Sequence, residues 1–196
     1  MLTRRGSLLL PLLIAGCGAG GERRKVFPPL RYDYLTPLRL NVASIQIEQR
    51  FVPSGLAPDV SQYARVSPVQ ALRTMAEDRL QALGSSGQAT FVIQNATLTR
   101  RGDTLSGNFV VELDIYTTPD NRAGFAQASV SRTFSGDLDE LPGRLYDLTK
   151  DLMDRMNVEF EYQIRHSLGT WLLPAGAPEP PVQQQPLTET PLTPSP

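Results

Sequence analysis

The residue with the most distinctive chemistry in this sequence is Cys17, the single cysteine among 196 residues. A lone thiol cannot form an intramolecular disulfide, so its sulfur is free for another reaction. Two large apolar residues, Leu13 and Ile14, and two small ones, Ala15 and Gly16, precede it. The residues alone leave three interpretations open: a modified thiol, a secretory signal with a chance cysteine, and a buried free thiol.

Residues 1–16 have the layout of a secretory signal peptide. Arg4 and Arg5 supply positive charge, an apolar stretch follows from Leu8, and small residues stand just before Cys17. The apolar run is about ten residues long, whereas a helix needs roughly twenty to span a bilayer. The segment is therefore predicted to direct export without remaining as a transmembrane helix.

Leu13-Ile14-Ala15-Gly16-Cys17 resembles the bacterial lipobox, and the chain is interpreted on this basis as an envelope lipoprotein precursor. The resemblance implies cleavage before Cys17 and attachment of diacylglycerol to its sulfur. Several acyl chains anchor a protein stably, because each buried methylene contributes about 0.8 kcal/mol. The predicted mature protein is tethered to a membrane and faces the periplasm.

Two further resemblances concern the route and the destination. The stretch from Thr3 to Leu8 resembles a twin-arginine signal, except that Ser7 occupies a position where a large apolar residue is usual. Both the general and the twin-arginine export routes remain open. Gly18 follows the cysteine, whereas lipoproteins retained on the inner membrane usually carry Asp there. This sorting rule favours the outer membrane.

Other residues that could support catalysis or bind a metal are few. His166 is the single histidine, and it is predicted at the exposed end of a helix, which is unfavourable for a catalytic triad or a transition-metal site. The acidic pairs Glu112/Asp114 and Asp151/Asp154 are predicted to point into solvent, where they are solvated charges rather than glycosidase carboxylates. We therefore expect no catalytic residues, no metal site and no cofactor.

The composition favours a soluble globular domain with little affinity for nucleic acid. The sequence contains 19 basic and 20 acidic residues. Removal of residues 1–16 takes away Arg4 and Arg5, which leaves 17 basic residues against 20 acidic ones and a formal charge of −3. A nucleic-acid-binding domain usually presents a basic face, so this class of partner is not expected.

The mature chain is predicted to contain one domain between two irregular segments. Residues 17–37 include several glycines and prolines and are interpreted as the lipidated cysteine followed by a flexible tether. Residues 38–173 are predicted to form a single domain. Residues 174–196 contain eight of the 17 prolines and no basic residue, which is typical of a disordered tail.

Within that domain the sequence predicts an α+β fold. A strand is expected from Leu38 to Phe51, with a change of apolar phase midway. A helix is expected to follow the Ser67-Pro68 start signal, to include Leu80 and Leu83, and to stop at Gly84. The order of the predicted elements is strand, helix, a three-stranded antiparallel meander and a second helix, with both helices covering one face of the sheet. The meander strands are expected at 90–99, 108–115 and 125–134, and the second helix from 141 or 142 to 165.

The second helix carries a longer apolar stripe than the first helix can cover. One interpretation is that part of this stripe is exposed, and its candidate contact surface consists of Met153, Met156, Phe160 and Trp171. The alternative is that Trp171 and the two leucines after it fold back onto the sheet.

The order of the elements resembles two groups of small envelope lipoproteins. One is the LptE-like group of lipopolysaccharide-assembly lipoproteins, and the other is the PqiC-like group of ABC-transport auxiliary lipoproteins. The segments that look most like the second group are 40–45 and 67–73. These resemblances imply a non-catalytic binding or assembly component of an envelope complex, with a transporter subunit or an outer-membrane barrel as partner. The sheet edge or the uncovered helix surface is the expected docking face. The alternative is a lipoprotein that binds a lipid or glycolipid in a crevice between the sheet and the helices.

Overall fold

A computed structural model of the chain describes residues 26–174. Two helices and six strands follow one another in an order that confirms the predicted α+β class. Short 3-10 turns lie at Ser61–Tyr63 and Gly169–Trp171. The elements are β1 (Leu38–Leu40), β2 (Ser44–Gln49), α1 (Pro68–Arg79), β3 (Leu80–Ala82), β4 (Gln88–Arg101), β5 (Thr104–Thr118), β6 (Asn121–Ser135) and α2 (Leu141–Ser167).

The main sheet has the strand order β2-β4-β5-β6. Strands β4, β5 and β6 form the predicted antiparallel meander. The β4–β5 turn contains Gly102, whose φ of 59° lies in the left-handed region that glycine adopts without strain. Strand β2 joins the other side of β4 in parallel, and α1 lies in the connection between them. The strands of the meander extend several residues beyond the alternating segments seen in the sequence.

The predicted single strand from Leu38 to Phe51 is wrong, because the structure divides it in two. The chain bends at 41–43, where the Ala43 amide donates to the carbonyl groups of Ser86 and Gly87 at 3.1 and 3.0 Å. Strand β1 pairs in parallel with β3 in a separate two-stranded sheet, while β2 enters the main sheet. The change of apolar phase in the sequence therefore marks a change of sheet.

Helix α1 begins as predicted but ends earlier. Ser67 is the N-cap, and its hydroxyl accepts a hydrogen bond from the Gln70 amide. The helix ends at Arg79, and Leu80 begins β3 instead of continuing the helical stripe. Gly84 has no positive φ and does not stop the helix. A Cβ on Gly84 would lie 2.5 Å from the backbone of Asn41, so this glycine permits a close approach of two chain segments.

Both helices pack on one face of the main sheet, as predicted. Strands β5 and β6 present small residues to α2, among them the buried Ala126 and Ala128. A Cβ on Gly107 would lie 2.3 Å from a methyl group of Leu152, which shows how closely α2 approaches the sheet. Arg132 in β6 forms an ion pair with Asp151 in α2 at 3.1 Å. The buried apolar side chains of both layers form one continuous core.

The domain begins before residue 38, so the predicted boundary of the tether is wrong for the last residues of 17–37. Tyr32 is buried, and its amide donates to Asp78 of α1 at 2.8 Å. Arg31 donates to both oxygens of the same carboxylate at 2.8 and 3.0 Å. The Tyr146 hydroxyl donates to the carbonyl of Pro28 at 3.0 Å. The predicted signal peptide, Cys17 and all of the predicted tail except Pro174 lie outside the described residues.

Candidate functional site

The predicted contact surface on α2 is not exposed. Met153, Met156 and Phe160 have no accessible surface and belong to the core, so this prediction is wrong. The ring of Phe160 packs edge-on against Phe91 of β4 at 5.4 Å. The strands are 14 or 15 residues long, and they cover nearly the full length of α2. The part of the α2 stripe that α1 is too short to cover is therefore buried against the sheet.

Trp171, the fourth residue of that predicted surface, folds back onto the domain, as the alternative interpretation expected. It is partly buried against the core. Its carbonyl accepts a hydrogen bond from the Asn41 amide at 2.8 Å, and the Leu173 amide donates to Arg39 at 2.8 Å. The chain after α2 thus adds backbone pairing beside β1.

The position of the predicted lipid crevice is filled by side chains where α2 crosses β5. Leu152 occupies the space above Gly107, and Leu98 of β4 closes the same contact from the next strand. All three lie inside the core. The described part of the chain therefore gives no support to a preformed lipid site at this place.

The sheet face that the helices leave uncovered is polar and has two zones. One end carries mostly hydroxyl side chains, which hydrogen-bond across strands β5 and β6, for example Ser106 to Thr133 at 3.3 Å and Thr104 to Ser135 at 3.1 Å. The other end carries amides and carboxylates and forms a groove of about 500 Å³ beside Glu48 and Thr90. We call this surface the open face.

An acidic pair lies in the second zone of the open face. Glu112 and Asp114 are only 9% and 3% exposed, so the expectation that they are solvated charges is wrong. Arg122 of β6 donates to Glu112 at 2.8 Å and contacts Asp114 as an ion pair. Its guanidinium also lies 4.2 Å from the centre of the Phe125 ring. The pair is therefore held by a partner from the edge strand, with Gln127 donating to Glu112 at 3.4 Å.

Among residues 26–174 no group of three or more His, Cys, Asp or Glu side chains has a geometry suited to a metal ion. His166 stacks on Tyr162 at the C-terminal end of α2, with ring centres 6.0 Å apart. The carboxylates of Asp151 and Asp154 are taken up by surface ion pairs with Arg132, Arg155 and Lys150. In the same part of the chain no helix is long and apolar enough to cross a bilayer.

The sequence suggested a sheet edge as a docking face without specifying the strand, and the structure points to the outer edge of β6. Within the described residues β6 pairs only with β5, so its outer edge carries backbone groups that no other strand uses. Proteins usually protect such an edge with Lys, Pro, inward-facing charges or bulges. Strand β6 has no Lys, Pro, Asp or Glu in 15 residues, and its register irregularities lie at its first residues, before Gly124.

The two charged residues of β6 do not protect this edge either. Arg122 lies on the open face, where it forms ion pairs with Glu112 and Asp114. Arg132 points to the helix side and forms an ion pair with Asp151 of α2. A regular stretch of about twelve residues, from Gly124 to Ser135, is thus available for pairing. The signal in the sequence was the absence of acidic residues, lysine and proline from 121–135.

No model of a known protein family matches the chain, and no curated protein matches it significantly. Solved structures with a similar course of the chain include two lipoproteins. One is a minor lipoprotein from Acinetobacter baumannii, with 13% identity, coverage of 68% of this chain and 96% of that one, and a TM-score of 0.36. The other is a candidate lipoprotein from Caulobacter crescentus CB15, with 14% identity, coverage of 67% and 92%, and a TM-score of 0.34. At this level of likeness the function has to be argued from the chain's own residues.

Proposed function

We propose that this protein is a lipid-anchored, periplasm-facing lipoprotein that acts as a non-catalytic binding or assembly component of an envelope complex. The anchor is the thioether at Cys17, and Gly18 favours the outer membrane. The partner binds by adding an extended segment to the free edge of β6. The observation that carries the proposal is this long, regular edge without protecting charges.

Strand addition suits this edge for a physical reason. Backbone N–H and C=O groups at a sheet edge pair with any extended segment, and alternate side chains of that segment then contact the two faces of the sheet. Beside β6 these faces differ. The open face offers Gln127, Ser129 and Ser131, while the helix side offers Val130 and the α2 surface near Arg155. The partner is therefore an amphipathic strand of an envelope protein, such as a transporter subunit or an outer-membrane barrel.

The edge is tested by a matched pair of substitutions. Ser131 in β6 and Asn108 in β5 are register partners, and both are exposed on the open face. Ser131→Lys places a charge at the edge, whereas Asn108→Lys places the same charge one strand further in. We expect Ser131→Lys to abolish co-purification of envelope proteins in mild detergent and Asn108→Lys to preserve it. Equal loss in both variants would point to the open face, and no loss in either would overturn the edge proposal.

The anchor is tested separately by mass spectrometry and fractionation of the native protein. Lipidation predicts a mature chain that begins at Cys17 with the added mass of its acyl groups, and a Cys17→Ser variant that leaves the membrane fraction. A native product that still begins at Met1 would contradict this part of the proposal.

A further inference from the structure

The loop between β2 and α1 exposes large apolar side chains. Val52, Leu56 and Tyr63 are 77%, 75% and 55% exposed. Single exposed apolar residues are common on proteins, but Leu56 and Tyr63 line the same groove and Val52 lies four positions before Leu56. Such a concentration of exposed apolar side chains usually marks a contact surface. We call residues 52–63 the apolar loop.

The apolar loop is ordered by hydrogen bonds rather than by burial of its large side chains. The buried Asp59 carboxylate accepts hydrogen bonds from the amides of Ser54 and Ser61, each at 2.8 Å. The Val60 amide donates to Leu98, and the Arg100 amide donates to Pro58, both at 2.9 Å. These backbone hydrogen bonds with β4 fix the path of the loop, so its large apolar side chains are presented to solvent without a bound partner.

Basic side chains outnumber acidic ones next to the apolar loop, since Arg65, Arg100 and Arg101 lie there with one exposed acid, Asp103 of the β4–β5 turn. Between residues 52 and 66 the single acidic residue is Asp59, which is turned inward, and the single basic residue is Arg65. Arg100 lines a groove of about 450 Å³ together with Leu56 and Tyr63, and Arg101 is exposed beside it. The acids Asp137, Asp139 and Glu140 lie beyond the β4–β5 turn, at the β6 side of the sheet. Apolar side chains flanked by arginines complement an anionic bilayer surface.

The described chain begins at this same end of the molecule. The ring of Phe27 lies 5.8 Å from the guanidinium of Arg65, the residue just after the apolar loop. Nine positions separate Val26 from Cys17, a length of chain that spans about 30 Å at most. The described residues end at the far end of the sheet, where the Leu173 amide donates to the Arg39 carbonyl. A lipid on Cys17 therefore leaves the apolar loop within reach of the bilayer.

From this placement we infer that the apolar loop is a second membrane contact, which seats on an anionic bilayer and orients the anchored domain. Leu56, Val52 and Tyr63 enter the boundary between headgroups and acyl chains, while Arg100 and Arg101 contact lipid phosphates. The far end of the sheet, with Trp171, then points away from the membrane. This inference rests on the lipid at Cys17, and it is independent of the β6 edge.

Vesicle binding tests the loop without the anchor. The full mature chain with Cys17→Ser is expected to bind vesicles of phosphatidylethanolamine and phosphatidylglycerol more strongly than vesicles of phosphatidylcholine. Val52→Ser together with Leu56→Ser is expected to weaken this binding about tenfold, because apolar area is lost from the contact. Arg100→Gln and Arg101→Gln are each expected to weaken it about fivefold. The matched control is Val158→Ser on α2, which removes an equally exposed valine (72%) and is expected to leave binding unchanged.

Fluorescence quenching decides the orientation of the lipidated protein itself. Trp171 is the single tryptophan and lies at the other end of β4 from the loop, about 40 Å away at the usual rise per residue. In vesicles with brominated acyl chains, a Leu56→Trp, Trp171→Phe protein is expected to be strongly quenched, and the native Trp171 is expected to be unquenched. An unquenched tryptophan at position 56 would overturn the inference. Such a result would leave both the mass of the lipidated chain and the β6 substitutions unaffected, so the proposed function would still be judged on its own tests.

Discussion

Arg79 Nη2 lies 2.6 Å from Glu161 Oε2, which joins the last residue of α1 to α2. The arginine is only 1% exposed, and its other donors reach the Thr36 carbonyl at 3.1 Å and the Asn157 side chain at 2.9 Å. One side chain therefore links the N-terminal segment, α1 and α2. A buried guanidinium is tolerated here because each side of its planar fork has an acceptor.

Removal of this arginine should be strongly destabilising. Arg79→Ala removes the buried donor of Asn157 and of the Thr36 carbonyl, while Glu161 keeps its hydrogen bonds from Arg165. We expect the free energy of unfolding to fall by roughly 2 kcal/mol, because buried acceptors lose their partner and the guanidinium leaves a gap. Arg165→Ala is the matched control, since Arg165 donates to the same carboxylate from an exposed position one helical turn away. That loss should stay below about 0.5 kcal/mol. Urea unfolding followed by circular dichroism measures both, and equal losses would contradict the role assigned to Arg79.

The contacts of Arg79 also explain why sequence reasoning placed the end of α1 too late. The apolar spacing continues through Leu80 and Leu83, so a local pattern predicts four more helical residues. The helix stops because β3 pairs with β1, and the partners of Arg79 are 43 to 82 positions away. No local pattern contains these contacts. The meander was predictable because the alternation and the turn residues that define it are local.

The acidic pair and the α2 stripe were misjudged for a related reason. Glu112 and Asp114 do lie on the face away from the helices, as their alternation indicates. Their burial depends on Arg122, and the irregular register at the start of β6 brings this residue beside them. The exposure of Met153 was inferred from the length of α1 alone, whereas the long strands of the sheet cover α2. Alternation thus predicts the face of a side chain but not what lies over it.

Stability should fall in acid because three carboxylates are held ionised in the folded protein. For Asp59, Asp78 and Glu161, burial alone would raise the pKa, but hydrogen bonds outweigh it and the net pKa is lowered. The donors are backbone and side-chain groups of the apolar loop for Asp59, Arg31 and the Tyr32 amide for Asp78, and Arg165 and Arg79 for Glu161.

The sign of the effect follows from which state binds protons first. The unfolded carboxylates have ordinary pKa values near 4, so they take up protons before the folded ones as the pH falls. Their contribution is complete above about pH 5 and is lost as the pH drops through 4 and below. Urea midpoints measured across this range should decrease, and Asp59→Asn should flatten the decrease. A midpoint that rises toward pH 3 would refute this account.

Gly84 should be intolerant of any side chain. Its amide donates to Val42 at 2.9 Å, and a Cβ would lie 2.5 Å from both the Asn41 carbonyl carbon and the Val42 nitrogen. Because these atoms belong to the backbone, no side chain can rotate away. The segments that follow β1 and β3 would have to move apart to make room for the Cβ. We expect Gly84→Ala to cost about 2 kcal/mol or more of unfolding free energy. Gly169→Ala is the control, since no atom lies within 4 Å of its Cβ position, and comparable losses in thermal unfolding would contradict the prediction.

The ion pairs of Arg122 with two largely buried carboxylates distinguish it from Arg132, the other arginine of β6. Arg122→Ala removes the ion-pair partner of Glu112 and Asp114, two largely buried carboxylates on the open face, and leaves them the electrostatic attraction of Arg50. We expect a loss of about 2 kcal/mol, less than for a fully buried pair because Arg122 itself is partly exposed. Adding Asp114→Asn to Arg122→Ala should restore part of this stability, since the repulsion between the two acids disappears.

Arg132→Ala on the same strand breaks an ion pair whose two partners are both well exposed, and it should cost less than about 0.5 kcal/mol. If the double variant were less stable than Arg122→Ala alone, the acidic pair would owe its stability to contacts other than this arginine.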